Sequence, residues 1–260
     1  LGLIDFVRAL AALPGVADLA MTTNGTLLAP VATELATAGL QRVNVSLDTL
    51  RPARFRAITR RGELDAALGG IAAAERAGLT PLKVNTVVIR GLNDDEVVDL
   101  ARRALDAGWH LRFIEWMPIG TGDFIHEDWR ERVVTADQIR TRLEAALGPL
   151  VSVAGPGGSG PAATYRAASR PDSSGTIGFI TPISEHFCDR CNRLRLTADG
   201  KLRPCLLSNV ELDLRGPLRD GASRETLQAL ISRAIAAKPS GHCLAEADPA
   251  EGRSMAQIGG

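Results

Sequence analysis

Leu82-Lys83-Val84-Asn85-Thr86-Val87-Val88-Ile89 is the stretch on which the fold turns. Its β-branched residues favour an extended chain. It lies between two segments of helical character, 64–77 closed by Gly78 and 94–107 closed by Gly108. A strand between two helices is the repeating piece of a parallel β/α fold. The same alternation continues outward. Arg42-Val43-Asn44-Val45-Ser46-Leu47-Asp48 reads as a strand, and residues 27–38 before it as a helix closed by Gly39. Residues 17–21 read as a shorter strand ending in Thr22-Thr23-Asn24-Gly25, and residues 110–116 as a fourth strand. Leu3, Ile4, Phe6, Val7, Leu10 and Leu13 fall near helical spacing and stop at Pro14-Gly15. The chain opens at Leu1 inside this helix with nothing to cap it, so the expectation is a chain missing its own N-terminus. The pattern predicts an α/β class with a parallel sheet.

Polar residues recur where these strands end: Thr22, Thr23, Asn24, Ser46, Asp48, Asn93 and Glu115. In β/α barrels the C-terminal strand ends carry the site. For any one of them, capping the following helix is the better reading; their recurrence points to a shared site. Beyond a helix from Thr135 to about Leu147 comes the linker-like Gly155-Pro-Gly-Gly-Ser-Gly-Pro161. Short apolar runs (163–167, 176–180), the cysteines and a helix at about 223–237 then suggest a smaller α+β module. The expected domains are 1–150 and 151–260.

A length of 260 residues suits one large domain or one and a half, and 45% hydrophobic residues supply a sizeable core. Thirty basic residues balance thirty acidic ones, which speaks against a general nucleic-acid or membrane surface. Anion binding must then come from local clusters. No apolar run approaches the roughly 18 residues of a membrane span. Four cysteines do not make a secreted disulfide framework, and no signal peptide is apparent. The expected setting is cytoplasmic.

Cys188, Cys191 and Cys205 stand in the spacing C-x2-C-x13-C, as chains build zinc or iron–sulfur sites. Residues 193–207 read as a β-hairpin around Asp199-Gly200, a favoured turn pair. That turn would bring Cys205 alongside Cys191. Alternation puts Arg193 and Arg195 on one face. A structural site has no need of two guanidinium groups so close; an anionic ligand beside the metal would. One reading is a zinc ribbon with Cys243 or His186 as fourth ligand, although a second C-x2-C is missing. The other is an iron–sulfur cluster with one open position, since iron suits thiolate surroundings. His186 reads more simply as a packing residue or a support for a ligand, and His110, His126 and His242 show no spacing signal. Trp116 and Met117 read as core packing. There is no Walker A loop, nucleophile elbow or H-E-x-x-H. Composition makes the terminal Gly259-Gly260 a disordered end, although glycine also threads narrow sites.

Several blocks together resemble the GTP 3′,8-cyclase family of molybdenum cofactor biosynthesis, which uses radical S-adenosylmethionine (SAM) chemistry. They are Thr22-Thr-Asn-Gly25, Val43-Asn-Val-Ser-Leu-Asp48, Lys83-Val-Asn-Thr-Val-Val88 with Gly91-Leu-Asn-Asp94, Arg112-Phe-Ile-Glu-Trp-Met117, the block Phe187 to Cys205, and Ile258-Gly-Gly260. The resemblance implies an incomplete radical-SAM-type (β/α)6 partial TIM barrel, followed by a smaller C-terminal α+β module carrying an iron–sulfur site. It implies that Cys188, Cys191 and Cys205 hold a [4Fe–4S] cluster whose open iron faces GTP. Thr22, Lys83, Arg193, Leu194 and Arg195 match GTP-contacting positions, and Ser46 and Met117 match SAM-contacting ones. Gly259 and Gly260 match a tail that reaches into the active site. The implied reaction is abstraction of hydrogen from the ribose C3′ of GTP and attack of that carbon on guanine C8, giving (8S)-3′,8-cyclo-7,8-dihydroguanosine 5′-triphosphate. Cyclic pyranopterin monophosphate synthase is the implied downstream enzyme and a homodimer the implied assembly, with no nucleic-acid or membrane partner. Rival readings are a zinc-ribbon binding module and another radical SAM enzyme with an auxiliary cluster. The C-x3-C-x2-C of the family's first cluster and its Gly-Gly-Glu-Pro block are not in this sequence. The expectation is that the first β/α units are missing, that SAM and a second [4Fe–4S] cluster belong to a full-length member, and that these 260 residues alone do not cleave SAM.

Overall fold

Strands form where β-branched residues alternate with polar ones, and helices where apolar residues recur every three to four positions. The computed structural model describes residues 2–119, 129–157, 160–241, 253 and 255–258. The chain divides into two compact units, 1–116 with 133–181, and 117–132 with 182–260.

Among the described residues the first unit holds one seven-stranded sheet. Its strands are β1 Ala20–Thr23, β2 Arg42–Ser46, β3 Lys83–Val88, β4 His110–Glu115, β5 Leu150–Ser152, β6 Ala163–Ala167 and β7 Thr176–Ile180. They lie in the order β1-β2-β3-β4-β7-β6-β5. The first five in that order run parallel; β6 and β5 close one edge antiparallel. The helices are α1 Leu3–Ala11, α2 Ala32–Thr37, α3 Pro52–Thr59, α4 Leu64–Arg76, α5 Val97–Ala107 and α7 Ala136–Leu147, while α6 Trp129–Arg132 falls in the second unit.

The core lies between the helices and one face of the sheet. Val43, Val45, Val84, Val88, Leu111, Phe113, Ile177 and Phe179 are buried there. α5 buries Val97, Leu100, Ala101, Ala104 and Leu105, one stripe of a helix. Each large side chain so buried contributes about 1.5–3 kcal/mol. Thr135 and Gln138 form a capping box at the start of α7, a motif worth about 1 kcal/mol.

The helix expected over 27–38 starts at Ala32. Pro30 lacks an amide proton and its ring clashes with the carbonyl four residues back, so turns precede it. The helix expected over 94–107 opens as a 3-10 turn, Asp94–Glu96. α3 was not expected; Pro52 sits at its first position, where the missing amide costs nothing. The boundary expected at 150 lies inside the first unit. β7 pairs in register along β4, from His110↔Thr176 to Ile114↔Ile180, and carries β5 and β6 into the sheet.

α4 rests closely on the loop after β1. A Cβ at Gly70 would lie 2.1 Å from the Gly25 carbonyl oxygen. That oxygen belongs to backbone and cannot turn aside. Gly70→Ala is expected to destabilise the first unit by about 2 kcal/mol, as overpacking does. The reading is a lower urea midpoint with an unchanged slope; an unmoved midpoint would show that α4 shifts freely.

The second unit has a three-stranded antiparallel sheet, β10 Leu212–Asp213, β9 Lys201–Arg203 and β8 Arg195–Leu196 in that order. Two helices follow, α8 Arg215–Arg219 and α9 Arg224–Ala236. The expected turn is present: Gly200 has φ of 83°, its amide donates to the Thr197 carbonyl at 2.9 Å, and the Thr197 amide donates to that of Lys201 at 2.9 Å. A small core of Leu202, Leu212 and Ala234 holds the sheet to α9.

Candidate functional site

Parallel strands covered on both faces by helices read as continuous apolar runs. β2, β3 and β4 instead carry polar residues at alternate positions, and these share the face opposite the helices. The register lines them up in two rows. Thr22, Asn44, Lys83, His110 and Thr176 are successive cross-strand partners, as are Ser46, Asn85, Arg112 and Gly178. The expected Thr22, Lys83 and Ser46 thus fall on one face, with Asn44, Asn85 and Arg112, which the sequence reading did not single out, and His110, which showed no spacing signal. The alternation in Arg42-Val-Asn-Val-Ser46 was the signal that could have found them.

Lys83 is 1% exposed. Its Nζ donates to the Gly157 carbonyl oxygen at 2.7 Å. Burial, then the charges of Arg112 and Arg42, lower its pKa to about 8, against a smaller pull from Asp18. Burial, then Arg42, lowers Arg112 to about 10. His110 lies below its ordinary value through burial and then through Lys83 and Arg112, and its Nδ1 is 2.9 Å from the Thr176 hydroxyl. Asp18 is already committed to Arg42 through a two-pronged ion pair. Lys83 and Arg112 therefore leave the face electropositive. The amide oxygens of Asn44 and Asn85 are buried and take no hydrogen bond among the described residues. The Asn44 Nδ2 donates to Thr22 Oγ1 at 3.2 Å. Buried acceptors normally find donors, so the face offers cations for an anion and acceptors for a ligand's N–H or O–H groups.

Other strand-end residues are occupied in holding loops. Thr23 Oγ1 accepts the Gly25 amide, and Asn24 Oδ1 accepts the amide and hydroxyl of Thr26. Asn93 donates to the Asp48 and Val87 carbonyls and accepts the Ile89 amide, all at 2.8 Å. Buried Glu115 accepts the Ala136 amide at the start of α7. Asp48 accepts the Val87 amide at 2.8 Å, and burial raises its pKa to about 6. Met117, half-buried, follows β4.

In the second unit Cys188–Arg190 form a 3-10 turn and the Cys191 amide donates to the Cys188 carbonyl at 3.2 Å. β8 and β9 pair with Arg195 opposite Arg203. Lys238, just after α9, ties the two arms: its Nζ donates to the carbonyls of Arg193 at 2.7 Å and Pro204 at 3.1 Å. Burial raises the Cys191 thiol, but the Arg193 amide and charge and the Lys238 ammonium together bring it below its ordinary value. Burial, then Arg193, lowers Arg195, while the thiols of Cys191 and Cys205 oppose the shift, so both reach its field. Leu194 between the two arginines is exposed, and Arg193 stacks 5.0 Å over the Phe187 ring. The three cysteines are half-buried and in no disulfide. Among the described residues no three His, Cys, Asp or Glu side chains are gathered as around a metal ion. The donor set nevertheless fits an iron–sulfur group: soft sulfur ligands, cations that favour thiolate, and a backbone that turns Cys205 back toward Cys191. His186 is exposed. Gly259, Gly260, Cys243, His126 and His242 lie outside the described residues.

The Radical SAM superfamily matches residues 2–104, and the family described as Molybdenum Cofactor Synthesis C matches residues 109–244. The GTP 3′,8-cyclase of Pelotomaculum thermopropionicum is 51% identical across this whole chain, which covers 78% of that protein. That of Heliobacterium modesticaldum is 50% identical with the same coverage. That of Moorella thermoacetica is 48% identical over 99% of this chain and 77% of its own length. With Lys83, the cysteine hairpin and its arginines all inside these matches, the chain belongs to the GTP 3′,8-cyclase family of radical SAM proteins.

Proposed function

We propose that this chain binds GTP and takes part in its 3′,8-cyclisation in molybdenum cofactor biosynthesis. The carrying observation is the half-buried, electropositive sheet face, where the buried Lys83 stands beside Arg112 and two buried amide oxygens await donors. Lys83 and Thr22 serve GTP there, Lys83 as a cation for phosphate. Ser46 and Met117 serve SAM. In the second unit Arg193, Leu194 and Arg195 serve GTP, the guanidinium groups pairing bidentately with anionic oxygen. Cys188, Cys191 and Cys205 hold a [4Fe–4S] cluster, and Gly259-Gly260 forms an active-site tail. The cluster and SAM, when bound, supply the radical chemistry at the ribose C3′. The protein's own share is to orient the nucleotide and exclude water.

The parallel strands β1 to β4 with their helices are read as part of a (β/α)6 partial barrel within 1–150, and 151–260, which adds β7 to the same sheet, as the module completing the enzyme. A cytoplasmic setting, a homodimer, and transfer of the product to cyclic pyranopterin monophosphate synthase complete the proposal. Among the described residues no helix is long and apolar enough to cross a membrane.

Titration calorimetry with GTP tests this reading. Arg193→Ala and Arg195→Ala are each expected to weaken GTP binding by about ten- to a hundredfold, since each loses a charge-assisted contact worth about 1.5–3 kcal/mol. Iron content should stay at the parent value. Undiminished affinity in both variants would remove them from the nucleotide site, and a parent chain that ignores GTP would remove the proposal.

A further inference from the structure

Arg253 enters a network of ion pairs that the cyclase reading does not use. Arg253 donates through Nη1 and Nη2 to the two carboxylate oxygens of Asp199, at 3.1 and 2.9 Å. The same guanidinium reaches Glu211, with Nη2 2.8 Å from Oε2 and Nε 2.7 Å from Oε1. Asp199 is the turn residue of the cysteine hairpin and also accepts the Thr197 hydroxyl at 2.6 Å. Arg253 first, and Thr197 second, hold its carboxyl well below the usual carboxylate range. Glu211 takes a second guanidinium, that of Arg203, at 2.6 Å. Arg203 is buried on β9, two residues before Cys205, and reaches the carbonyls of Leu206 and Ser208. Five residues beyond Arg253, Ile258 is wholly buried. A charged clamp and an apolar plug thus hold one short segment at two points.

We propose that Arg253 is a positioning residue: it seats the C-terminal tail on the cysteine hairpin and couples the tail to the loop that bears Cys205. An isolated surface ion pair would contribute little. This one differs in form. A planar fork bridges two carboxylates, one at the hairpin turn and one just before β10, and the second also neutralises a buried arginine. Lysine cannot reproduce that geometry, because its ammonium is a single point of charge. What the seated tail does for GTP rests on the cyclase reading above; the seating itself does not.

Hydrogen exchange of the full chain, read by mass spectrometry, separates the two. Arg253→Ala is expected to speed exchange across 253–258 by at least about tenfold, and to speed residues 197–211 as well. Asp199→Asn, which keeps the turn and its acceptor oxygen but removes the charge, should release the tail in the same way. The double variant should exchange little faster than either single one, the mark of a shared interaction, and Arg253→Lys should recover protection in part. An unchanged tail in Arg253→Ala, or a protected tail in Asp199→Asn, would overturn the proposal and leave Ile258 as the anchor. Calorimetry of the parent with GTP runs alongside: if GTP fails to bind while the tail responds as described, the cyclase reading falls and the latch stands.

Discussion

Lys83→Met is expected to weaken GTP binding by two to three orders of magnitude while leaving the chain at least as stable as its parent. The two effects have one source. Lys83 is almost wholly covered by the protein, and Arg112 and Arg42 repel its charge. The fall of its pKa from 10.5 to about 8 corresponds to about 3 kcal/mol of disfavoured charge at neutral pH. Between about pH 8 and 10.5 the unfolded chain binds more protons than the folded one at this site, so stability rises with pH through that window. Methionine fills a similar volume without the charge. What is lost is one bond to the Gly157 carbonyl, and Gly157 is exposed, so water replaces it. For an anionic ligand the balance reverses. A buried cation that loses its charge in a complex costs about 2–5 kcal/mol, which is the expected loss of affinity. In the parent, GTP affinity should also fall as pH rises past about 8, where the free amine loses its proton. Urea unfolding at pH 7 and calorimetry at pH 7 and 9 check each part. A less stable Lys83→Met chain would mean that the ammonium is structural; undiminished GTP affinity would mean that the face does not meet phosphate.

The same residue shows how far the sequence could be read. Lys83-Val-Asn-Thr-Val-Val88 declared itself a strand, and the turn at Asp199-Gly200 declared a hairpin, because both rest on local chemistry: β-branching in one, a left-handed glycine in the other. α3 was hidden because its start is marked by Pro52 alone and its apolar stripe is weak, with Phe55 as its buried residue. β7 was read as part of a later module because nothing local says that Thr176 will pair beside His110; that pairing spans 66 residues and is decided by tertiary contact. The site divided in the same way. Thr22 and Ser46 were named from the motifs they sit in, while Asn44 and Asn85 became visible when the register aligned them on the same face. Asn93 and Glu115 looked like site residues; Asn93 holds loop backbone through two carbonyls and an amide and Glu115 accepts a helix amide, since a polar side chain at a strand end has two uses that sequence does not tell apart.

Cys205→Ser is expected to strip anaerobically reconstituted protein of most of its iron and sulfide, and with them its brown colour. Cys243→Ser should leave all three unchanged. The argument is one of charge as well as ligand number. Holding the cluster would take three thiolates with three negative charges from half-buried cysteines; Arg193 and Lys238 act on Cys191, and Arg195 lies in the field of Cys191 and Cys205. Lys238 does more than balance charge, because its bonds to the Arg193 and Pro204 carbonyls hold the Cys205 arm against the Cys191 arm. A serine hydroxyl at 205 is not ionised near neutral pH, so it neither replaces the thiolate as a soft ligand nor answers those cations. Two remaining cysteines then face a cluster with two open irons, a much more labile state. Lys238→Ala should fall between the two variants, losing part of its iron, since the thiols survive but the arms are no longer tied. Iron and sulfide analysis with visible absorption reads all three. Full retention in Cys205→Ser would take Cys205 out of the ligand set, and a colourless parent holding one zinc would make the hairpin a ribbon after all.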